Sequence, residues 1–469
     1  MTGNRTPTSS WLTHPLVPVW AAGFAGFLVF LLQLNPGFNW YDSAEFVGVA
    51  RTFGIVHPSG YPLYSLLGRL SVLGIGWLTS PVIAANLLSA LAAGATCGIM
   101  VMIGRKLFVL LRLGPVPRLI RILAACLPPA ILAGHPVFLD QALVAEVYTL
   151  NTLLVALLIL TGLVMVQKAE QPRRMMNGAG GEVRSGWWGS VPGGWRYPLI
   201  MAFLAGIALG NHVTIILIYP ALVGLFLWSL TPENTLGLRP PTDDESHSLL
   251  TAVIPLVLFL ALGLTLYLVL PLRAGLQPPY NWGDATTLRS FFRLVTAAEI
   301  RARPGTYNPI TPLTIWGRVA AGIGPVVLAL ALLGWFTAGL RRRRLGLVAI
   351  LYVIFPLLFL LLGLDIQEDA LLPFHLWVVL GIGPGVVLVA ERLIAVFGLA
   401  RGRVLTLAAI GLLAIFGPGW RIVDNWGEGT PRPEYGPAAY TEAIVASVAG
   451  RAEPETAVEG WVFCEDNTT

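Results

Sequence analysis

The sequence predicts an all-α polytopic membrane protein, and three observations carry that prediction. Apolar residues make up 55% of the chain and charged residues 12%, and mean hydropathy is +0.73, far from the balance of a water-soluble domain. Uncharged runs of about 17 to 25 residues recur along the chain, each long enough to cross a hydrocarbon core of about 30 Å. With water absent, such runs must be helices. Basic residues, finally, gather in a few short loops beside the runs, where membrane orientation accounts for the net charge of +5 and a nucleic-acid partner is not needed.

Taken in order, the crossings fall near residues 16–34, 82–103, 121–135, 141–166, 197–210, 212–230, 249–271, 318–339, 346–363, 372–396 and 404–420, about 11 in all. Residues 197–230 are too many for one helix and are interrupted by Gly210-Asn211-His212, so they divide into two spans joined by a tight turn. The four basic loops then share one face: Arg105, Lys106, Arg112, Arg118 and Arg121; Lys168, Arg173, Arg174, Arg184 and Arg196; Arg341 to Arg344; Arg401 and Arg403. The positive-inside rule makes that face cytoplasmic, with the N-terminus on it and the C-terminal segment outside. Residues 1–420 form the expected membrane domain, and residues 421–469 a short extracytoplasmic tail or the start of a soluble domain. Residues 177–194 and 231–248, rich in Gly, Pro, Ser or Asp, read as linkers. Cys97, Cys126 and Cys464 have neither disulfide nor zinc spacing.

The chemistry collects on the opposite face. Asp42 and Glu45 lie three apart, so a helix starting there presents both on one side. They suit an N-cap and its capping box, or a pair in which one carboxylate takes a hydroxyl proton while the other, or His57, positions substrate. His57-Pro58 and Tyr61-Pro62 bracket Ser59-Gly60, a turn between two short helices. Glu146 stands in the first turns of an apolar span, where an ionisable residue is costly. Asn211-His212 is a cap or a site element. Arg273 ends one span as an interfacial anchor or as a bidentate ligand for phosphate. Asp365, Glu368 and Asp369 beside His375 form a solvated acidic turn or a weak metal candidate. No phosphate-binding Gly loop, serine nucleophile elbow or metalloprotease helix is present.

Several motifs resemble one family in succession. They are Trp40-Tyr41-Asp42-Ser43-Ala44-Glu45 with His57-Pro58-Ser59-Gly60-Tyr61-Pro62-Leu63-Tyr64, then Glu146-Val147-Tyr148-Thr149-Leu150-Asn151, then Pro271-Leu272-Arg273-Ala274 with Asn281-Trp282-Gly283-Asp284. Together they resemble bacterial multi-pass proteins related to the animal transmembrane O-mannosyltransferase, within the GT-C glycosyltransferases. The resemblance implies a GT-C-like fold with short interfacial helices in the first outer loop. It also implies a polyprenyl-phosphate sugar donor, a protein or glycan acceptor, and inverting transfer on the extracytoplasmic face of a bacterial plasma membrane. On that reading Asp42 and Glu45 are catalytic, and His57, Tyr61, Glu146, Tyr148, Asn151, Asn211, His212, Arg273, Trp282 and Asp284 face substrate. A sugar phosphate carries its own leaving group, so no cofactor or obligatory metal is called for. The rivals are a transporter or flippase of lipid-linked sugars, and a non-catalytic glycolipid-binding scaffold.

Overall fold

The computed structural model describes residues 14–37, 39, 42–170, 195–230, 245–298, 314, 317, 321–361 and 368–424. Trp40, Tyr41, Asp365, both linkers over most of their length, Cys464 and residues 425–469 of the expected tail lie outside the described residues.

Every predicted crossing has a helical counterpart. In chain order these are α1 (Val17–Leu32), the short α2 (Ser43–Thr52) and α3 (Pro62–Ile75), α4 (Pro81–Leu110), α5 (Arg118–Ala133), α6 (Pro136–Leu143), α7 (Tyr148–Ala169) and α8 (Arg196–Leu209). A 3-10 turn (Val213–Ile218) leads into α9 (Tyr219–Ser229), then α10 (Glu245–Leu264), α11 (Val269–Ala274) and the short α12 (Leu288–Val295). The last third holds α13 (Pro325–Arg341), α14 (Arg343–Leu361), α15 (Leu372–Leu380), α16 (Ile382–Ala414) and α17 (Trp420–Asp424). Among the described residues, four helices or merged helical stretches are by themselves long and apolar enough to cross a membrane, or five if the bent pair α5 and α6 is one broken span.

Lipid gives apolar helices little reason to associate through hydrophobicity, so close backbone approach has to hold the bundle together. Gly94 and Gly98 of α4 lie one turn apart against α1. A Cβ at Gly94 would stand 2.6 Å from that of Phe27, and one at Gly98 3.6 Å from the Gly23 Cα. α4 therefore sits at the centre, against α1, α5 and α7.

Two expectations need correction. Glu146 precedes its helix, because α7 begins at Tyr148 and residues 136–143 form the separate α6, bent 70° from α5. Pro136, at the first position of α6, cannot donate the amide that would continue α5. The spans 372–396 and 404–420 stay separate, because the helical run after α15 is two helices joined across a kink at Gly398 (φ 76°), a conformation open to glycine, with Gly402 packed back against Leu393 and Ile394. Asp42 and Glu45 form no capping box: Asp42 stands at the N-cap of α2 without a side-chain capping bond.

The turn at Gly210-Asn211-His212 does reverse the chain. Tyr219 Oη donates to the Ala205 carbonyl (2.7 Å), tying the start of α9 to α8. Asn211 Nδ2 donates to Val147 O (3.1 Å) at the start of α7, while Gly162, near its far end, packs against Leu225 of α9. The ends of α7 thus provide a ruler. Its 22 residues span about 33 Å at 1.5 Å each. Beyond its C-terminus Glu170 pairs with Arg342 (3.2 Å), and Lys106 reaches Gln167 (2.8 Å). The basic C-terminal end of α4 and the four-arginine run therefore share one end of α7, and the first loop meets the other.

Candidate active site

The first loop is anchored before it is furnished. Asn86 of α4 donates to the Asn35 carbonyl (2.8 Å), fixing where the chain leaves α1. α2 and α3 then pack on each other, with Phe46 of α2 against Tyr64 (5.0 Å between ring centroids) and Tyr61 (5.7 Å). Gly60 (φ 86°) makes the connection between them, and a Cβ there would stand 2.9 Å from Leu270. This turn delivers His57 over the N-terminal end of α2.

There Glu45 holds His57 by both its oxygens. One accepts the His57 backbone N–H (2.9 Å) and the other accepts Nδ1–H (2.7 Å). With Nδ1 donating, Nε2 faces the Asp42 carboxylate at 3.6 Å. Glu45 is thus committed to positioning. Asp42 is the open acid: 48% of its side chain is exposed, against 18% for His57. Burial raises the Asp42 pKa above its ordinary 3.8; the charge of His57 opposes this and that of Glu45 adds to it. For His57 burial works against protonation, but the hydrogen bond and charge of Glu45 and the charge of Asp42 outweigh it, and the pKa is raised above 6.5.

Behind this trio lies a buried layer. Tyr61 meets His57 (5.1 Å between centroids) and His212 (5.7 Å), and His212 meets Tyr148 (5.4 Å). His212 Nδ1 accepts the Thr214 amide (3.2 Å), so it both caps the 3-10 turn and faces the site. Glu146 is buried with Oε2 unpartnered. Burial, then the charges of Asp42 and Asp369, raise its pKa well above 4.5. Asn151 is fully buried with neither amide atom partnered, and Asn211 keeps an unpartnered Oδ1. Buried polar atoms of this kind are uncommon in a settled core.

Arg273, Trp282 and Asp284 arrive from another side, at the C-terminal end of α2. Arg273 Nε donates to Phe53 O (2.6 Å) and Nη2 to Thr52 O (3.4 Å), and its guanidinium lies 4.6 Å from the Phe53 ring centroid. These bonds cap the C-terminal end of α2. The Trp282 backbone N–H donates to Ile55 O (3.3 Å). Asp284 accepts from Asn281 (3.1 Å) and Gln277 (3.3 Å), which organises its own turn.

Sequence reasoning missed Ser89. Its hydroxyl accepts the Glu146 N–H (3.2 Å), donates to the Glu146 carbonyl (3.1 Å) and meets Tyr64 Oη (3.3 Å). The signal was present: Asn86 and Ser89 lie three apart on the uncharged first half of α4, and both face the first loop.

Asp42, Glu45 and His57 could also hold a divalent cation, since one ligand atom from each lies within 4.8 Å of the others. The His57–Glu45 contact satisfies much of the cluster by itself. The acidic turn is different: Glu368 and Asp369 begin a 3-10 turn, while His375 is buried with Nδ1 on the Leu371 carbonyl (2.9 Å) and its ring 4.5 Å from that of His135.

Comparison with known proteins gives this geometry a context. Residues 42–235 match the family described as the Protein O-mannosyl-transferase TMEM260 N-terminal domain. The chain is 27% identical over 286 residues to Protein O-mannosyl-transferase TMEM260 of Mus musculus, covering 61% of this chain and 34% of that protein. Its Dictyostelium discoideum counterpart is 24% identical, with 66% and 34% covered. The chain thus spans about a third of the length of these relatives. Among solved structures, ArnT from Cupriavidus metallidurans bound to undecaprenyl phosphate superposes with TM-score 0.55 at 16% identity, covering 94% of this chain and 81% of that one. The Archaeoglobus fulgidus oligosaccharyltransferase superposes with TM-score 0.51 at 11% identity, covering 95% and 58%. The chain is therefore a polytopic membrane protein with the fold of the GT-C glycosyltransferases.

Proposed function

We propose that this chain transfers a sugar, with inversion, from a polyprenyl-phosphate carrier to an acceptor hydroxyl on the extracytoplasmic face. The observation that carries this reading is the division of labour between the two loop acids: Glu45 is spent on both N–H groups of His57, while Asp42 makes no cap and stays half-exposed beside it. Asp42 accepts the acceptor's O–H proton, and the freed oxygen attacks the anomeric carbon. The bond from that carbon to the phosphate oxygen breaks, and the lipid phosphate leaves with the electron pair. A base whose pKa is raised toward the working pH suits this step. Arg273 meets the leaving phosphate with the N–H groups that α2 does not use, since cations placed where charge develops lower the barrier. Glu146, Asn151 and Asn211 offer their unpartnered atoms to sugar hydroxyls. A mannosyl transfer to protein is the form favoured by the likeness to the TMEM260 relatives, and a polyprenyl carrier by the lipid bound to ArnT.

The test is incubation of the purified chain with a panel of polyprenyl-phosphate sugars, following release of polyprenyl phosphate and sugar on acceptor. One sugar consumed with an inverted product linkage is expected. Translocation of an intact donor across vesicles without consumption would overturn the reading in favour of a transporter. Sidedness is tested by single-cysteine labelling at Leu288→Cys and Arg343→Cys, both exposed. The first should react from outside and the second only after permeabilisation.

A further inference from the structure

A groove of about 840 Å³ opens between α14 on one side and α9 with its preceding 3-10 turn on the other. Val223, Leu227 and Leu347 line it and are each more than half exposed, so its mouth faces the surrounding lipid. Gly224 keeps the floor low: a Cβ there would already stand 3.3 Å from Val348 and 3.4 Å from Leu351. Of the described residues that line the groove, only Arg344 is charged.

A volume in the range of ligand sites, hydrocarbon along its length and a cation at one end fit an amphiphile with an anionic head. The position of that cation decides which one. Arg344 follows Arg342, which pairs with Glu170 at the C-terminal end of α7, whereas the acid trio meets the other end through Tyr61, His212 and Tyr148. On the proposed mechanism the anomeric carbon of a sugar donor lies beside the hydroxyl that Asp42 deprotonates, about one bilayer away. The head beside Arg344 therefore belongs to a different lipid. Basic pockets between membrane helices bind anionic headgroups of the adjoining leaflet.

We propose that this groove binds an anionic phospholipid of the leaflet bordering the arginine run, with its phosphate on Arg344 and an acyl chain along Val223, Leu227 and Leu347. The choice of a phospholipid over the sugar donor rests on the sugar-transfer reading, whereas lipid binding at the groove does not. It is tested by native mass spectrometry of the purified full chain in detergent with phosphatidylglycerol or phosphatidylcholine, comparing the unmodified protein, Arg344→Gln and Arg343→Gln. Both positions are exposed, and unchanged melting temperatures confirm folding. Phosphatidylglycerol should bind in preference. Arg344→Gln should weaken it about fivefold, the effect of removing one basic residue near a headgroup, while Arg343→Gln, outside the groove lining, has a smaller effect. Equal losses in the two variants would reveal only diffuse attraction to the arginine run and overturn the proposal. So would the absence of a headgroup preference, or displacement of phosphatidylglycerol by equimolar undecaprenyl phosphate.

Discussion

The two ends of α7 treat charge in opposite ways. At the C-terminal end ions close in pairs: Arg342 with Glu170, and Arg341 with Glu391 (3.2 Å each), the latter also accepting the Gly114 amide. At the N-terminal end the acids outnumber their partners. Glu45 and Asp42 share one imidazole, Glu146 keeps a buried oxygen without a partner, and Asn151 has two such atoms. Polar groups desolvated without partners lower stability, so a fold retains them where something else will engage them. The paired end ties the bundle together; the unpaired end is the one a ligand would engage under the proposed function.

The largest expected break in this contrast is Asp42→Asn. The amide cannot take a proton, so sugar transfer should fall about 10² to 10⁴-fold, while the melting temperature holds because Asp42 makes no capping bond. Near-normal transfer would place Asp42 with the structural acids of the other end. With native Asp42, the raised pKa predicts that the rate falls as pH drops through a value above 3.8; an acid limb at or below 3.8 would contradict that.

Ser89→Ala should come next, because it leaves both backbone groups of Glu146 unsatisfied in a buried setting. A loss of about 1–3 kcal/mol is expected from the orphaned groups, read as a lower melting temperature. An unchanged melting temperature would mean that Glu146 is fixed by other contacts.

Glu45→Gln sharpens the comparison through pH. Because the folded pKa of His57 is raised above 6.5, the pair's contribution is fully present below pH 6.5 and lost as pH rises through the raised value. The variant should therefore be less stable than the parent by about 1–2 kcal/mol in mildly acidic buffer and approach it in alkaline buffer. A pH-independent difference would show that the carboxylate acts by shape alone.

The smallest effect is expected at the paired end. Arg342→Gln should cost about 1 kcal/mol or less and leave transfer unchanged. A large loss of transfer there would dissolve the distinction between the two ends. Chelation by EDTA tests the trio from another direction: transfer is expected to persist, and its loss with restoration by a divalent cation would assign Asp42, Glu45 and His57 to a metal.

The sequence by itself determined the fold class and most helix positions, because run length and the exclusion of charge from lipid are local properties. It also located the first-loop acids and the reversal at Gly210-Asn211-His212, since a polar break in an apolar run is visible without coordinates. Only the tertiary structure decided how Asp42 and Glu45 divide their work, because a spacing of three suits a capping box and a paired site equally well. The decision rests on His57, twelve residues after Glu45, whose backbone and ring both reach its carboxylate. It likewise showed that Arg273 caps α2 and that Ser89, far away in sequence, supports Glu146. Such contacts join segments up to 221 residues apart, and they depend on a bundle whose close approaches no local pattern specifies.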